Sequence, residues 1–196
     1  PVGPYFKNGF KPTNFAIMRE FDRVAPKGTG RIKVGGNYAA SLVAGEKAHD
    51  LGFSGVLYLD SKEKKYLDEC GAANFFAIKD NTYITPYSES ILPSITNKSL
   101  TQIAEDLGMK VERRPIEVEE LATFEEAGAC GTAAVCTPIG EIVDLDNDIK
   151  YTLAKELPID YNKRPLDISY CILKSYKKVR GGKDRNILLQ AKKVTN

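Results

Sequence analysis

The chain has 196 residues, 42% hydrophobic and 28% charged, with a net charge of +2; that is enough for a core of useful size in one globular domain, and it gives no general pull toward nucleic acid or an anionic membrane. No apolar run approaches the roughly 20 residues of a membrane span, and the opening "PVGPYFKNGFKP" lacks the charged start and apolar core of a secretory leader. Cys70, Cys130, Cys136 and Cys171 form no C-x-x-C pair and His49 is the single histidine, so a metal centre, a disulfide framework and a Ser-His-Asp triad all lack support, and small apolar cysteines in a reducing cytoplasm are expected.

In chain order, "NFAIMREF" (14–21) carries apolar and β-favouring residues and reads as a strand. The glycine-rich stretch "GTGRIKVGGNY" (28–38) follows. "YAASLVAGEKAHDLG" places Leu42, Val43, Ala44, Ala48 and Leu51 near a helical period, with His49 at the surface and Gly52 as the stop. "GVLYLD" (55–60) reads as a compact strand, "SKEKK" as a charged turn, and "YLDECGAANFFAIKD" as returning strand. "DN" (80–81) is a turn signal and "TYITP" another strand, which suggests an antiparallel meander rather than a βαβ alternation.

"TNKSLTQIAEDLG" predicts an amphipathic helix closed by Gly108, with Ile103, Ala104 and Leu107 on one face. "KVERRPIEV" reads as a strand at an edge, because its proline cannot donate to a ladder. "EVEELATFEEAG" is a short helix, and "CGTAAVCTPIGEIVDL" returns to strand and turn. Grouped strands with interspersed helices give an α+β fold or a mixed, barrel-like sheet. The basic segment "YKKVRGGKDR" reads as a solvated tail, since no aromatic platform accompanies it.

Four pieces can carry chemistry, and each has a plain alternative. Lys33 sits between Ile32 and Val34, with glycines on both sides. On a strand those neighbours would desolvate its amine, lower a pKa of about 10.4 in water, and make it able to form an imine with a carbonyl. The alternative is an exposed lysine in a hairpin. The helix start near Thr96 offers unpaired N–H groups and a hydroxyl, which suit a phosphate or an ordinary cap equally. "CGTAAVCTP" combines Gly131 and Thr132 in a turn of small residues. Glu69, in "YLDECGAANFF", is either buried against a cationic partner or, with Asp68, a turn acid in water.

The order of these pieces resembles the class IV aminotransferases, and within them the branched-chain amino acid group. "KVGGNYAAS", "GAANFF", "LPSIT" and "GTAAVCTP" stand in that family's order and at its approximate spacing, from the opening "PVGPYFKNGFKPTNF" to about residue 145. The resemblance implies pyridoxal 5'-phosphate as cofactor and a role for each matched residue. Lys33 would form the Schiff base and then shuttle the substrate proton. Tyr38 would bond the phenolic oxygen, and Glu69 would keep the pyridine nitrogen protonated. Ile95 and Thr96 would bind the phosphate from the helix start and Thr132 from the second turn. The backbone of Thr132 and Ala133 would face the substrate carboxylate.

The fold it implies is α+β, a mixed barrel-like sheet with flanking helices: the large cofactor-binding domain of the family. Residues 1–196 would form that single domain. The stretch 146–196 is atypical, and the small domain that precedes the match in family members is absent. The implied function is transfer of the amino group of leucine, isoleucine or valine to 2-oxoglutarate. The enzyme would be cytoplasmic, a homodimer at full length, with amino acid and 2-oxo acid partners, no metal, no nucleic acid and no membrane. The isolated chain would bind cofactor weakly. The other readings are a D-amino acid transaminase or an aminodeoxychorismate lyase, which lack the "GGNYAAS" continuation, and a non-catalytic domain. Ser94 replaces a usual glycine, Ala72 stands where some members have threonine, and Ala134 and Thr137 replace the redox C-x-x-C of mammalian members.

Overall fold

Strand alternation sorts the side chains into separate cores. Along β1 (Thr13–Ile17) Phe15 and Ile17 enter one buried cluster, while Ala16 and the following Met18 enter another. Phe75 and Phe76 of β3 (Ala73–Lys79) divide in the same way, as a pleated strand with both faces covered requires. The structure, a computed structural model, describes residues 12–153. Cys171 and the expected basic tail lie outside the described residues.

The remaining elements are α1 (Gly36–Asp50), β2 (Glu69–Cys70), β4 (Thr82–Pro86), α2 (Ile95–Asp106), β5 (Lys110–Arg114), a 3-10 turn (Val118–Thr123), β6 (Glu126–Gly131), β7 (Val135–Asp144) and β8 (Ile149–Thr152). One mixed sheet runs β1-β7-β6-β3-β4-β5, with β2 on β3 and β8 on β7. Segment 55–59 carries it round. Leu57 N–H donates to Ala16 O of β1, and Tyr58 N–H donates to Glu69 O of β2, each at 2.9 Å. Since β2 pairs with β3, the path β1-β7-β6-β3-β2 and back through 55–59 is a ring, and the Phe15 cluster fills it. This is the expected barrel-like sheet.

Two expectations change. The sheet is not an antiparallel meander: β1 runs parallel to β7, and β4 parallel to β5. A parallel pair needs a crossover of a dozen or more residues, and α2 provides it between β4 and β5, so one βαβ unit exists. "GVLYLD" contributes isolated bridges at Val56 and Leu59 rather than a continuous strand. The β3–β4 hairpin turns at Asp80 and Asn81, with φ of 48° and 54°. Both residues tolerate this left-handed region, and the turn's twist matches the strands it joins. β5 does lie at the edge.

The helices form where expected, but their buried faces differ. α2 buries Leu100, Ile103 and Ala104 against the Phe76 and Tyr83 side of the sheet. Leu107, expected on that face, is 48% exposed at the helix end. α1 buries only Ala44 and Ala48, against β1 and segment 55–59. Leu42, Val43 and Leu51, which fall near the same helical period, are exposed. The small residues lie close to the sheet, and the large apolar ones point outward.

Candidate active site

The segments following β1, β2 and β4 and the turn before α1 meet around one cleft. Arg23, Gly30, Lys33, Tyr38, Glu69 and Leu92 are among its lining residues. Its inner wall is buried and charged. Arg23 and Asp68 pair, with Nη2 to Oδ2 at 3.1 Å, and their side chains are 5% and 3% exposed. Asp68 also accepts the hydroxyls of Ser88 and Ser90, and Arg23 donates to the Ser90 carbonyl. Glu69 accepts the Leu92 N–H and stands 3.7 Å from Arg23 Nη2. Burial pushes the Glu69 carboxyl up to about 7, against the opposing pull of Arg23 and the Leu92 N–H. The turn-acid reading of Asp68 and Glu69 is thereby overturned: both side chains are buried because Arg23 comes in to meet them.

The opposite wall is open. Lys33 is not on a strand. It lies in the irregular segment just before α1, is exposed, and has the 57% exposed Ile32 beside it. The expected burial between two β-branched neighbours is therefore not found, because an irregular chain does not sandwich successive side chains as a covered strand does. Its amine is 5.6 Å from the centre of the Tyr38 ring, in the first turn of α1. Asn37 fastens the segment by donating to the carbonyls of Thr29 and Ile32, both at 2.9 Å. The glycines around Lys33 differ in what they permit. A Cβ on Gly30 would stand 2.0 Å from Ser90 O, whereas Cβ atoms on Gly35 and Gly36 would meet nothing within 4 Å. Gly30 lets the Lys33 segment close onto the inner wall; Gly35 and Gly36 leave open space beside the cleft.

The expected phosphate-binding residues flank the cleft rather than line it. Leu92 leads within a few residues into α2, whose first turn contains Ile95, 75% exposed, and the buried Thr96. Ser94, in place of the usual glycine, caps this helix by accepting the Asn97 N–H at 3.2 Å. Asn97 Nδ2 donates to Thr85 Oγ1, and Tyr83 donates to Asn97 Oδ1, so the first turn is fastened to β4. Thr132 and Ala133 lie exposed in the turn joining β6 to β7. A Cβ on the adjacent Gly131 would stand 3.8 Å from the carbonyl of Ala72, a cleft residue. Lys33, Tyr38 and Glu69 are thus brought together, with Ile95, Thr96, Thr132 and Ala133 on two bordering turns.

Sequence reasoning missed Arg23, Ser88 and Ser90. The adjacent acids in the apolar context "YLDECGAA" were a usable sign that a cation was needed, but nothing in "FDRVAPKG" marked Arg23 as its source.

A sequence model of the family described as amino-transferase class IV matches residues 9–142. The chain belongs to that family. Class IV relatives include the branched-chain-amino-acid aminotransferase of Helicobacter pylori (strain J99), 50% identical over 171 residues, which are 86% of this chain and 49% of that protein. The enzyme of that name from Haemophilus influenzae is 55% identical over 149 residues, 72% of this chain and 43% of its own length. The chain spans about half the length of the curated relatives it matches. Among solved class IV structures, a branched-chain aminotransferase of Thermoproteus uzoniensis with norvaline superposes with a TM-score of 0.76 at 27% identity, covering 96% of this chain and 57% of that one. The branched-chain amino acid aminotransferase of Thermobaculum terrenum, in its PLP-bound holo-form, gives 0.73 at 27% identity, over 96% of this chain and 57% of that one.

Proposed function

We propose that this chain is the cofactor-binding domain of a branched-chain amino acid aminotransferase, which moves the amino group of leucine, isoleucine or valine to 2-oxoglutarate with pyridoxal 5'-phosphate. The observation that carries this reading is the convergence of Glu69 of β2 with Lys33 and Tyr38, from the segment that opens α1, on one cleft. The buried wall fits the cofactor's charge. Two carboxylates there face a single guanidinium, and a ring nitrogen bearing a proton brings the missing positive charge.

When bound, pyridoxal phosphate supplies the electron sink for a carbanion at the substrate Cα. The residues of this chain provide the rest. Lys33 Nζ would hold the cofactor through its amine and would carry the proton taken from the substrate Cα. Glu69 would keep a proton at the ring nitrogen. The Tyr38 hydroxyl would steady the phenolic oxygen. The first turn of α2 at Ile95 and Thr96 would receive the phosphate, with Thr132 on its other side, because a helix start carries partial positive charge. The backbone of Thr132 and Ala133 takes the substrate carboxylate.

The openness of the Lys33 wall supports weak binding and slow turnover by the chain alone, and an enzyme completed by further protein. The apolar side chains exposed on α1 support an assembled state, a homodimer at full length. Cys70, Cys130 and Cys136 are buried and form no disulfide, which suits a reducing, cytoplasmic setting. Among the described residues no helix is long and apolar enough to cross a membrane, and no cluster of His, Cys, Asp or Glu is arranged to hold a metal ion.

Absorbance with added pyridoxal phosphate tests the site. A cofactor–protein band is expected for the wild type and lost in Lys33→Ala; a band that survives the substitution removes Lys33 from its role. Assaying the full-length protein with L-leucine and D-alanine tests the substrate. Transamination of D-alanine but not L-leucine would favour the D-amino acid alternative.

A further inference from the structure

Asp68 and Glu69 are consecutive buried acids that share one arginine unequally. Asp68 Oδ2 accepts from Arg23 Nε at 3.2 Å and from Nη2 at 3.1 Å. Its Oδ1 accepts from Ser88 at 3.0 Å and Ser90 at 2.9 Å. The serines and the guanidinium therefore complete Asp68. Glu69 is left with the Leu92 N–H and a guanidinium nitrogen at 3.7 Å, beyond hydrogen-bond reach. The cluster of Arg23, Asp68 and Glu69 has an excess of one negative charge when both acids are ionised.

The groups facing Glu69 from the surrounding elements offset this excess only weakly, through the charge of Lys33. Lys33, before α1, is exposed, where water screens its charge. Tyr38 of α1 lines the same cleft. Cys70 on its own strand and Cys130 of β6 are buried thiols whose ionisation is disfavoured by burial. The remaining neighbour is Asp68 itself, which adds negative charge.

We propose that Asp68 is a positioning residue for the cofactor: by engaging Arg23 it leaves the Glu69 carboxylate short of a counter-cation and so reserves it for the protonated ring nitrogen of pyridoxal phosphate. The inference rests on the reading that Glu69 faces that nitrogen. Its physical content is a choice of partner. Were Arg23 free to turn its full charge to Glu69, the acid would be satisfied without cofactor, and the site would be neutral. With Asp68 engaged by Arg23 the site becomes negative as Glu69 ionises, and its attraction for a ring cation strengthens with it.

The test compares wild type, Asp68→Asn and Glu69→Gln in the whole chain. Asparagine keeps the shape and hydrogen-bonding capacity of Asp68 while removing its charge. In the cofactor-free wild type, carbon-13 NMR should show Glu69 titrating near 7, and in Asp68→Asn at a lower pH. Affinity for pyridoxal phosphate, followed by fluorescence, should fall about tenfold in Asp68→Asn at pH 8 and less at pH 6, the loss expected when a charge within about 4–6 Å is removed. With ring-labelled cofactor bound, nitrogen-15 NMR should show the ring nitrogen losing its proton at lower pH in the variant.

Unchanged affinity and ring titration in Asp68→Asn would overturn the proposal, as would a loss equal at every pH, which marks a structural role only. If Asp68→Asn does not fold, the wild-type titration decides: Glu69 titrating in the ordinary carboxylate range would mean that it lacks no cation. Glu69→Gln separates the two levels. If it leaves the ring nitrogen signal and affinity unmoved, the placement of Glu69 fails; if it moves both while Asp68→Asn moves neither, only the inference about Asp68 fails.

Discussion

The two walls of the cleft are built on opposite principles. The inner wall is charged yet buried: Arg23, Asp68 and Glu69 are held by each other, by Ser88 and Ser90, and by the Leu92 backbone. The outer wall carries Lys33 and Tyr38 on a segment in water, ahead of a helix that buries only Ala44 and Ala48. α2, by contrast, anchors itself with Leu100, Ile103 and Ala104. The difference separates fold from chemistry. Changing the charges of the inner wall should shift stability strongly even without cofactor. Residues of the outer wall should affect stability little and function greatly.

The largest expected effect on stability is at Arg23. Arg23→Ala leaves two buried carboxylates without their cation and should lower unfolding free energy by about 3–5 kcal/mol in urea denaturation at pH 7; a loss under about 1 kcal/mol would mean that the wall is wetter than its burial implies. Leu100→Ala, at the fully buried position of α2, should cost about 2–5 kcal/mol. Its outer counterpart Leu42→Ala on α1 should stay within about 0.5 kcal/mol, and comparable losses for the pair would erase the contrast between the helices.

Glu69→Gln should act in the other direction in the cofactor-free chain. The folded carboxyl is raised to about 7 from an ordinary value of 4.5, so the native state holds the extra proton between these values. The relative stability this confers is full below about 4.5 and is lost as pH rises through 7. Removing the charge should therefore stabilise the chain by about 2–3 kcal/mol at pH 8 and by almost nothing at pH 4. A stabilisation independent of pH would break the assignment. The smallest expected stability effect is that of Lys33→Ala, within about 0.5 kcal/mol, while transamination by the full-length protein should fall by orders of magnitude.

Much of this was legible because local rules govern it. Asp80-Asn81 announced a hairpin turn through tolerance of left-handed backbone, and Gly52 and Gly108 ended helices with φ of +86° and +79°. The pairing of β1 with β7 was not legible, since it joins residues more than a hundred positions apart. The strand reading for Lys33 failed on a local ambiguity: apolar neighbours can be the exposed wall of a cleft as readily as a covered strand. The buried face of α1 was not legible because periodicity marks a stripe but does not say which side meets the sheet, and here the alanines allowed the closer approach.

The sequence by itself determined the two α-helices and their ends, the Asp80-Asn81 turn, the edge position of β5 and the ordered motifs that resemble class IV aminotransferases, since each depends on residues close in the chain or on a fixed motif. Only the tertiary structure decided that Glu69 is buried while Lys33 is exposed, and that Arg23 is the cation between two acids. Burial and charge balance are sums over neighbours brought together by folding, and in this cleft those neighbours come from the loops after β1, β2 and β4, which no local pattern connects.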